Sequence, residues 1–297
     1  MFSAKAVFKI GVIPFKAVSR TLRMRSVPRL SRRRRSSFLS KNAFFIELWR
    51  TVTPAARIGK KEFLVVEAFN DYVVAIDDIL DQLVHPDPQK EYLAYKMNPD
   101  ARKSVGDFVR AVKGTVLTKE EKRQLFKVVG DYRRKAFHVL QEFYADTPRL
   151  DKIIRMKEET SGEWGCAAVK LLDILGQVPR ENRRSVEEAF ANSFMATQIA
   201  DDLFDLVEDT SRKTPSIAVG IFMGHPDELR NALSMEKPSM HLFKKLCPKS
   251  IAKIMDLYRG YLGKIPLSDN LQIIRIFPRL FINFLSLTKR RQRLAPQ

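Results

Sequence analysis

Apolar residues recur at steps of three and four along most of the chain beyond residue 43. The clearest run covers residues 63–80, and its apolar positions are Phe63, Val66, Phe69, Val73, Ile76 and Leu80. Because this spacing places them on one face of a helix, the run predicts an amphipathic α-helix. Two prolines within residues 85–89 end that helix, since proline lacks the backbone N–H needed to continue it.

Two further stretches carry helix signals of their own. Residues 118–146 predict a second long helix, opened by Thr118 with Glu121 three positions on, which is the spacing of a capping box. Residues 160–175 contain two glycines followed by small and apolar side chains. This composition predicts a helix that is either kinked or packed very closely against a neighbour.

The remaining apolar pattern is also helical. Residues 181–208 predict a third long helix, and the glycines and prolines of residues 216–266 predict shorter ones. The last apolar stretch, residues 271–287, fits a core helix kinked at Pro278 or, less well, a helix lying on a membrane surface. Since no strand alternation and no repeat are visible, the predicted fold is an all-α single domain.

The net charge of +19 is concentrated at the N-terminus. Residues 1–46 contain twelve Lys or Arg and no acidic residue, whereas the rest of the chain has 41 basic and 34 acidic residues. We expect a basic tail over residues 1–41, a folded domain over 42–288 and a short basic tail over 289–297. The first tail fits an organelle transit peptide or a disordered segment that contacts anionic membrane.

The charge and the cysteine content limit the function classes. A basic tail alone supplies no base readout, so no specific nucleic-acid partner is expected. The two cysteines, Cys166 and Cys247, form no metal-binding spacing and suit a reducing compartment. The sequence contains no stretch of about 18 uncharged apolar residues, so no membrane-spanning helix is predicted. The expected location is therefore intracellular, either soluble or peripheral to a membrane, with organelle targeting as one form.

Two of the predicted helices carry the same cluster of aspartates near their ends. The clusters are Asp77, Asp78 and Asp81 in the first helix, and Asp201, Asp202 and Asp205 in the third long helix. Gln198 and Asp209 extend the second cluster by one turn on either side, and Phe190 and Phe194 continue its stripe upstream. This stripe runs from aromatic to acidic, like the wall of a pocket with an apolar end and a charged mouth.

The aspartates need a counter-charge. Carboxylates about 4 Å apart repel by roughly 1 kcal/mol in water and by more in a shielded site, and a bound cation removes that repulsion. Oxygen ligands without nearby His or Cys favour Mg²⁺ over zinc. Because Mg²⁺ completes its shell with waters and phosphate oxygens, two facing clusters would hold a diphosphate through Mg²⁺ ions.

Two alternatives explain the same residues. One is a pair of solvated acidic helix faces, but two copies of the pattern about 120 residues apart favour a functional site. The other is a di-iron bundle, which requires Glu-x-x-His pairs. The residues three positions before the four histidines are Gln82, Lys135, Phe222 and Pro238, so that alternative is disfavoured.

The segments DDILD and QIADDLFD resemble the two aspartate-rich motifs of the class I isoprenoid synthases. That superfamily includes trans-prenyl diphosphate synthases, squalene and phytoene synthases, and terpene cyclases. The VED that follows the second motif is closer to the squalene and phytoene branch. The resemblance covers roughly residues 45–285 and implies a helical bundle around a central cavity. It implies that the six aspartates are Mg²⁺ ligands or support such ligands, and that Asp209 joins them.

The chain also departs from the pattern of the chain-elongating synthases. Their upstream Gly-Gly-Lys-Arg-like segment, which holds isopentenyl diphosphate, has no counterpart except residues 56–62, which lie too close to the first motif. The arginine pair that usually follows the first motif is absent. After the second motif, Arg212 and Lys213 match the position of basic residues that hold diphosphate oxygens in the family; a surface loop is the ordinary alternative.

The resemblance implies that the protein ionises an allylic prenyl diphosphate, its expected partner. Mg²⁺ and basic side chains would neutralise the departing diphosphate. Gln198 would bind substrate, while Tyr72 and Phe194 would line the cavity, although ordinary core packing also explains both aromatics. Squalene- or phytoene-type coupling is favoured over chain elongation. A terpene cyclase and a non-catalytic protein that binds prenyl lipid are the alternatives.

Overall fold

The computed structural model describes residues 46, 49, 51–53, 58–82, 98–144, 149–178, 183–212, 214–235, 239–267, 271–276 and 278–279; over 77–82 and 139–144 it describes the backbone alone. Every regular element in this part of the chain is helical, so the predicted all-α class is confirmed. The helices are α1 (Lys60–Gln82), α2 (Pro99–Lys113), α3 (Lys119–Tyr144), α4 (Leu150–Lys157), α5 (Glu163–Leu175), α6 (Arg184–Phe204), α7 (Leu206–Arg212), α8 (Ile217–Met223), α9 (Pro226–Leu233), α10 (Met240–Leu246) and α11 (Pro248–Lys264).

The long helices α1 and α3 match the sequence prediction. The capping box of α3 is present. The Glu121 carboxylate accepts from the Thr118 backbone N–H at 2.7 Å, and the Glu121 backbone N–H donates to the Thr118 hydroxyl oxygen at 3.2 Å. Helix α2, which packs along α1, was not singled out in the sequence. It begins at Asn98, whose side chain accepts from two backbone N–H groups of the first turn. Residues 85–89 lie outside the described residues.

Helices α4 and α5 form one rod interrupted by a π-helical turn, Glu158–Gly162. The close packing expected of the glycine-containing segment is present, and the π-helical turn makes this part of the chain irregular. Gly165 allows the close packing, since a Cβ at this position would lie 2.8 Å from the backbone oxygen of Phe190 in α6. The sequence therefore brings the backbones of α5 and α6 together through a residue without a side chain.

Helix α6 is at the centre of the bundle. It contacts α5, the π-helical turn, α8 and α11. Its inward side chains, among them Phe190, Met195 and Ile199, are fully buried. The single helix predicted over residues 181–208 is divided in the structure, because Asp205 lies between α6 and α7 with a φ of −96° and a ψ of 4°. Burial of this apolar face is the main stabilising contribution to the bundle.

A buried ion pair holds the start of the domain against α5. Arg183 donates to both carboxylate oxygens of Asp173, at 2.8 and 3.1 Å, and to the Thr53 hydroxyl at 2.8 Å. The Trp49 indole N–H also donates to Asp173, at 3.0 Å. Because Asp173 is almost fully buried, these donors offset the cost of removing its charge from water.

The region beyond α7 contains short helices followed by α11. The prediction of short helices is confirmed for α8, α9 and α10, whereas α11 runs for 17 residues through two glycines. The closing stretch begins with a 3₁₀ turn, Gln272–Arg275, and residues 280–287 lie outside the described residues. In the part of the chain that is described, no helix is long and apolar enough to cross a membrane.

The chain divides into two compact units, Met1–Glu47 and Leu48–Gln297. All the helices named above belong to the second unit. In the first unit, Ile46 is the described residue and is buried. The tails predicted over residues 1–41 and 289–297 lie outside the described residues, so these boundaries and the 42–288 domain stay predictions.

Gly165→Ala tests the close contact between α5 and α6. We expect the added methyl group to force the two helices apart and to lower the free energy of unfolding by about 1–3 kcal/mol. Gly263→Ala is the matched control, because a Cβ at Gly263 in α11 would meet nothing within 4 Å. It should leave stability equal or raise it by roughly 0.5–1 kcal/mol. Urea unfolding measures both changes, and equal effects would contradict the assignment.

Glu228→Ala tests how α11 begins. Both carboxylate oxygens of Glu228 accept backbone N–H groups there, from Lys249 at 2.9 Å and Ser250 at 2.7 Å. Burial alone would raise the pKa of Glu228, but hydrogen bonding from the side chain and backbone of Ser250 and from the Lys249 backbone, together with nearby His225, holds the pKa below its ordinary value of 4.5. Loss of the carboxylate should cost about 1–3 kcal/mol of stability at pH 7.

The same variant has a pH signature. A lowered pKa stabilises the folded protein above pH 4.5, and that contribution is lost as the pH falls through the folded-state pKa. The stability difference between wild type and Glu228→Ala should therefore shrink in acid. The neighbouring Asp227→Ala, which removes an exposed ion pair with Arg230, should change stability by less than about 0.5 kcal/mol. A difference for Glu228→Ala that persists unchanged below pH 4 would contradict this account.

Candidate functional site

The second aspartate cluster spans the junction of α6 and α7. Backbone hydrogen bonds of 2.9 Å continue across the junction, from Asp205 to Asp201 and from Asp209 to Asp205. The three aspartates are therefore spaced one turn apart, and each is partly exposed. This arrangement forms a row of carboxylates along one side of the helix, as the sequence spacing predicted.

Asp202 has a different environment from that row. It is 3 % exposed, and its two oxygens accept separate hydrogen bonds of 2.6 Å. One donor is the side-chain amide of Gln198, and the other is the backbone N–H of Ile217, the first residue of α8. Asp202 therefore joins α6 to the start of α8. Because both of its oxygens are occupied, its geometry fits a residue that supports metal ligands better than a ligand itself.

A lysine that the sequence did not single out completes this network. Lys157, the last residue of α4, has its Nζ 3.7 Å from an oxygen of Asp202, and its side chain is 15 % exposed. Ser161 of the π-helical turn donates to the Gln198 side-chain oxygen at 2.8 Å. The contacts join residues about 40 positions apart, so no local pattern in the sequence indicates them.

The first aspartate cluster lies on the last turns of α1. The backbone of Asp77, Asp78 and Asp81 is helical, and their side chains lie outside the described residues. Among the side chains that are described, no three His, Cys, Asp or Glu groups are arranged to hold a metal ion. The predicted ligand set, which combines both clusters, therefore stays a prediction.

Trp164 connects the two helices that carry the aspartates. Its indole N–H donates to the Asn70 side-chain oxygen of α1 at 3.3 Å. Its ring packs edge-to-face against Phe194 of α6, with the ring centroids 5.2 Å apart. Asn70 lies seven residues before Asp77, and Phe194 lies seven residues before Asp201. The two clusters thus begin at the same distance, about 10 Å along each helix, from one shared aromatic contact.

The other predicted residues have mixed positions. Tyr72 is buried in α1, and Phe194 is partly buried against Trp164. Arg212 is exposed and pairs with Glu208 at 2.9 Å. An exposed position is expected both for an ordinary surface residue and for a residue that could bind an anion. Lys213 lies outside the described residues. The predicted roles of these four residues in substrate binding stay predictions.

The donor groups suit a hard cation. Asp201, Asp205 and Asp209 present carboxylate oxygens at one-turn spacing and remain accessible to solvent. Mg²⁺ binds few protein carboxylates and keeps open positions for waters or phosphate oxygens, so one or two of these carboxylates would suit it as ligands. Lys157 adds a positive charge beside the row, where a phosphate oxygen would be stabilised.

Asp202→Asn tests the supporting role of this carboxylate. An amide cannot accept at both positions, so either Ile217 or Gln198 loses its acceptor, and the ion pair between Lys157 and Asp202 is lost. We expect stability to fall by about 1–3 kcal/mol and the Ile217 amide to exchange with solvent more than tenfold faster. Glu208→Gln, on the exposed surface of α7, should change neither quantity. Unaltered exchange at Ile217 in Asp202→Asn would contradict the assignment.

Comparison with known proteins gives the fold. No protein-family model matches the sequence, and no curated protein matches it. Among solved structures, the chain is similar to geranylgeranyl pyrophosphate synthetase from Pyrococcus horikoshii Ot3, with a TM-score of 0.53, 17% identity, and coverage of 82% of this chain and 89% of that one. It is also similar to heptaprenyl diphosphate synthase from Staphylococcus aureus, with a TM-score of 0.51, 12% identity, and coverage of 95% and 98%.

Identities this low establish the fold and leave the activity to be argued from the site. The similarity extends over most of both known structures. The chain therefore has the same all-α fold as these two prenyl diphosphate synthases.

Proposed function

We propose that this protein is a Mg²⁺-dependent enzyme of isoprenoid biosynthesis that ionises an allylic prenyl diphosphate. The observation that carries the proposal is the contact of Trp164 with both aspartate-bearing helices. Each cluster begins seven residues beyond that contact, so the two sets of carboxylates would lie at the same end of the bundle with α1 and α6 running in the same direction, which is part of the proposal. The fold shared with the two prenyl diphosphate synthases supports the same assignment.

The metal ligands are proposed from both clusters. Asp77, Asp78 and Asp81 of α1 would supply one side, and Asp201, Asp205 and Asp209 would supply the other. When bound, Mg²⁺ would act as a Lewis acid that stabilises the negative charge on the departing diphosphate. Asp202 would support these ligands by fixing the start of α8 against α6, through the hydrogen bonds already described.

The diphosphate contacts are proposed from charge and burial. Lys157 is mostly buried and lies beside the second cluster, so its ammonium would strengthen an ionic contact to a phosphate oxygen in this shielded position. Gln198, one turn before Asp202, would orient the same group. Arg212 and Lys213 would approach from the segment after α7, provided that Arg212 exchanges its exposed partner Glu208 for the substrate.

The allylic chain would lie against the aromatic residues that precede the clusters. Trp164 and Phe194 present an edge-to-face pair between α1 and α6, and Tyr72 is buried five residues before Asp77. Aromatic faces stabilise carbocations, and the absence of water around them would prevent quenching of the cation. Tyr72 is proposed to limit the depth available to the chain.

The form of the reaction is proposed from what the sequence contains. The chain has neither the upstream Gly-Gly-Lys-Arg-like segment nor the arginine pair after the first motif. Both are expected where isopentenyl diphosphate binds as a second substrate. Coupling of two allylic diphosphates, of the squalene or phytoene type, is therefore the leading form, and cyclisation of one substrate uses the same ionisation. Chain elongation is the second candidate because the fold is shared with two prenyl diphosphate synthases.

A product assay distinguishes these forms. The purified protein is incubated with Mg²⁺ and allylic diphosphates of 10, 15 or 20 carbons, alone and with isopentenyl diphosphate, and the lipid products are identified by mass. Release of diphosphate from a single substrate supports coupling or cyclisation, and product mass separates the two. A requirement for isopentenyl diphosphate would instead establish elongation. Binding of prenyl diphosphate without any product would favour the non-catalytic alternative.

Single substitutions test the ligands. Asp77→Asn and Asp201→Asn should each lower kcat/KM on the order of 10²-fold or more, because each removes a ligand charge needed as the diphosphate departs. Circular dichroism should show an intact helical fold in both. Glu208→Gln, an exposed acid in α7, should keep full activity. Full activity in both aspartate variants would remove the proposed mechanism.

A further inference from the structure

A pocket of about 600 Å³ opens between α4, α8 and α11. Its lining includes the apolar side chains of Leu150, Ile154, Ile221 and Leu257. Ile221 is buried, whereas Leu257 is partly exposed, so the apolar surface extends from the interior towards solvent. A volume of this size accepts a small organic molecule and is much larger than a packing defect.

The exposed side of the pocket is positively charged. Lys253 and Lys264, one on each side of Gly260 along α11, both line the pocket and are exposed. Lys264 lies with its Nζ 4.3 Å from the centroid of the Tyr261 ring. Asp256 also lines the pocket, but its charge is offset by Arg259 at 3.1 Å. Within the described part of the chain, Lys253 forms no hydrogen bond or ion pair.

Gly260 lines the pocket without filling it. It lies inside α11, where glycine is the least favourable residue apart from proline, and it lines the pocket. A Cβ at Gly260 would meet nothing within 4 Å, so packing against a neighbouring element does not require a glycine there. A large side chain at this position would instead occupy the space between Lys253 and Lys264.

We propose that this pocket binds an amphiphilic anion, a molecule with an apolar chain and a phosphate or carboxylate head group. The chain would lie against Ile154, Ile221 and Leu257, because burial of apolar surface drives such binding. The head group would lie between Lys253 and Lys264, where two ammonium groups offer charge-assisted hydrogen bonds. This site uses none of the residues assigned above to metal or diphosphate.

The pocket adjoins the network around Asp202. Tyr261, which lines the pocket, donates its hydroxyl hydrogen bond to Glu158 at 2.6 Å, and Glu158 directly follows Lys157. Ile221 lies one turn beyond Ile217, whose backbone N–H binds Asp202. A molecule in the pocket would therefore contact α4, which ends at Lys157, and α8, whose first residue donates a hydrogen bond to Asp202.

Dodecyl phosphate is the probe for this site. Calorimetric titration of the full chain is made with the probe below its micelle concentration and with EDTA present, so that metal-dependent binding elsewhere does not contribute. We expect saturable binding of one molecule. Dodecanol and inorganic phosphate, which each lack one half of the probe, should bind at least about tenfold more weakly. Equal binding of dodecanol would overturn the role of the lysines.

Two glycine variants locate the binding. Gly260→Phe should weaken binding at least about tenfold, because its ring would fill the pocket. Gly263→Phe is the matched control: it lies in the same helix, a Cβ there also meets nothing within 4 Å, and Gly263 is not part of the lining. It should bind like wild type, as should Gly260→Ala. Equal binding by Gly260→Phe and Gly263→Phe would overturn the proposed location.

Two lysine variants provide a test that is independent of pocket filling. The double substitution Lys253→Gln and Lys264→Gln should raise Kd about tenfold, since it removes both charged contacts. The double substitution Lys244→Gln and Lys245→Gln in α10 makes the same change in net charge and should leave Kd unchanged. Equal effects would show nonspecific attraction. Binding to anionic phospholipid vesicles without binding to monomeric probe would identify a membrane-contact surface and overturn the pocket proposal.

Discussion

The carboxylate of Asp202 is the interaction on which the arrangement of the site depends. A buried carboxylate is costly unless its oxygens are paired, and here Gln198, the start of α8 and Lys157 meet that need. The pairing fixes the end of α4 and the start of α8 relative to α6. It also explains why two adjacent aspartates are useful. Successive helical residues point about 100° apart, so Asp202 can serve the interior while Asp201, Asp205 and Asp209 remain accessible.

Two adjacent residues of α5 fix how closely α5 approaches α6 and how α6 is linked to α1. Gly165 removes a side chain where α5 meets the backbone of α6, and Trp164 places a large ring between α6 and α1. The close contact and the aromatic bridge together set the spacing of the two aspartate-bearing helices. Because the π-helical turn directly precedes these residues, it also directs Ser161 towards Gln198. The irregular segment thus serves both packing and the polar network.

The fold supplies a scaffold, whereas individual residues of the site decide which reaction it can carry out. The all-α bundle is shared at 12–17% identity with two prenyl diphosphate synthases, and this similarity establishes a scaffold. Which reaction would follow the proposed ionisation depends on the residues that would hold a second substrate. Those segments depart from the elongating pattern in this chain, and the substrate experiment is therefore the decisive measurement.

Much of the architecture follows from local sequence. The spacing of apolar residues predicts α1 and α3, Thr118 with Glu121 specifies where α3 begins, and the spacing of Asp201, Asp205 and Asp209 places them on one side of the chain. These features depend on residues within one or two turns of each other, where helix geometry relates position in the sequence directly to position in space.

The tertiary structure alone decided the rest. The roles of Asp202 and Lys157, the bridge through Trp164 and the pocket beside α11 all depend on partners well beyond the neighbouring turns of the same helix. An aspartate in a DDxxD motif has the same local pattern whether it faces solvent or accepts a backbone N–H from another helix. Only the packing of α6 against α4 and α8 distinguishes these environments, because burial and long-range hydrogen bonds arise from the assembled bundle.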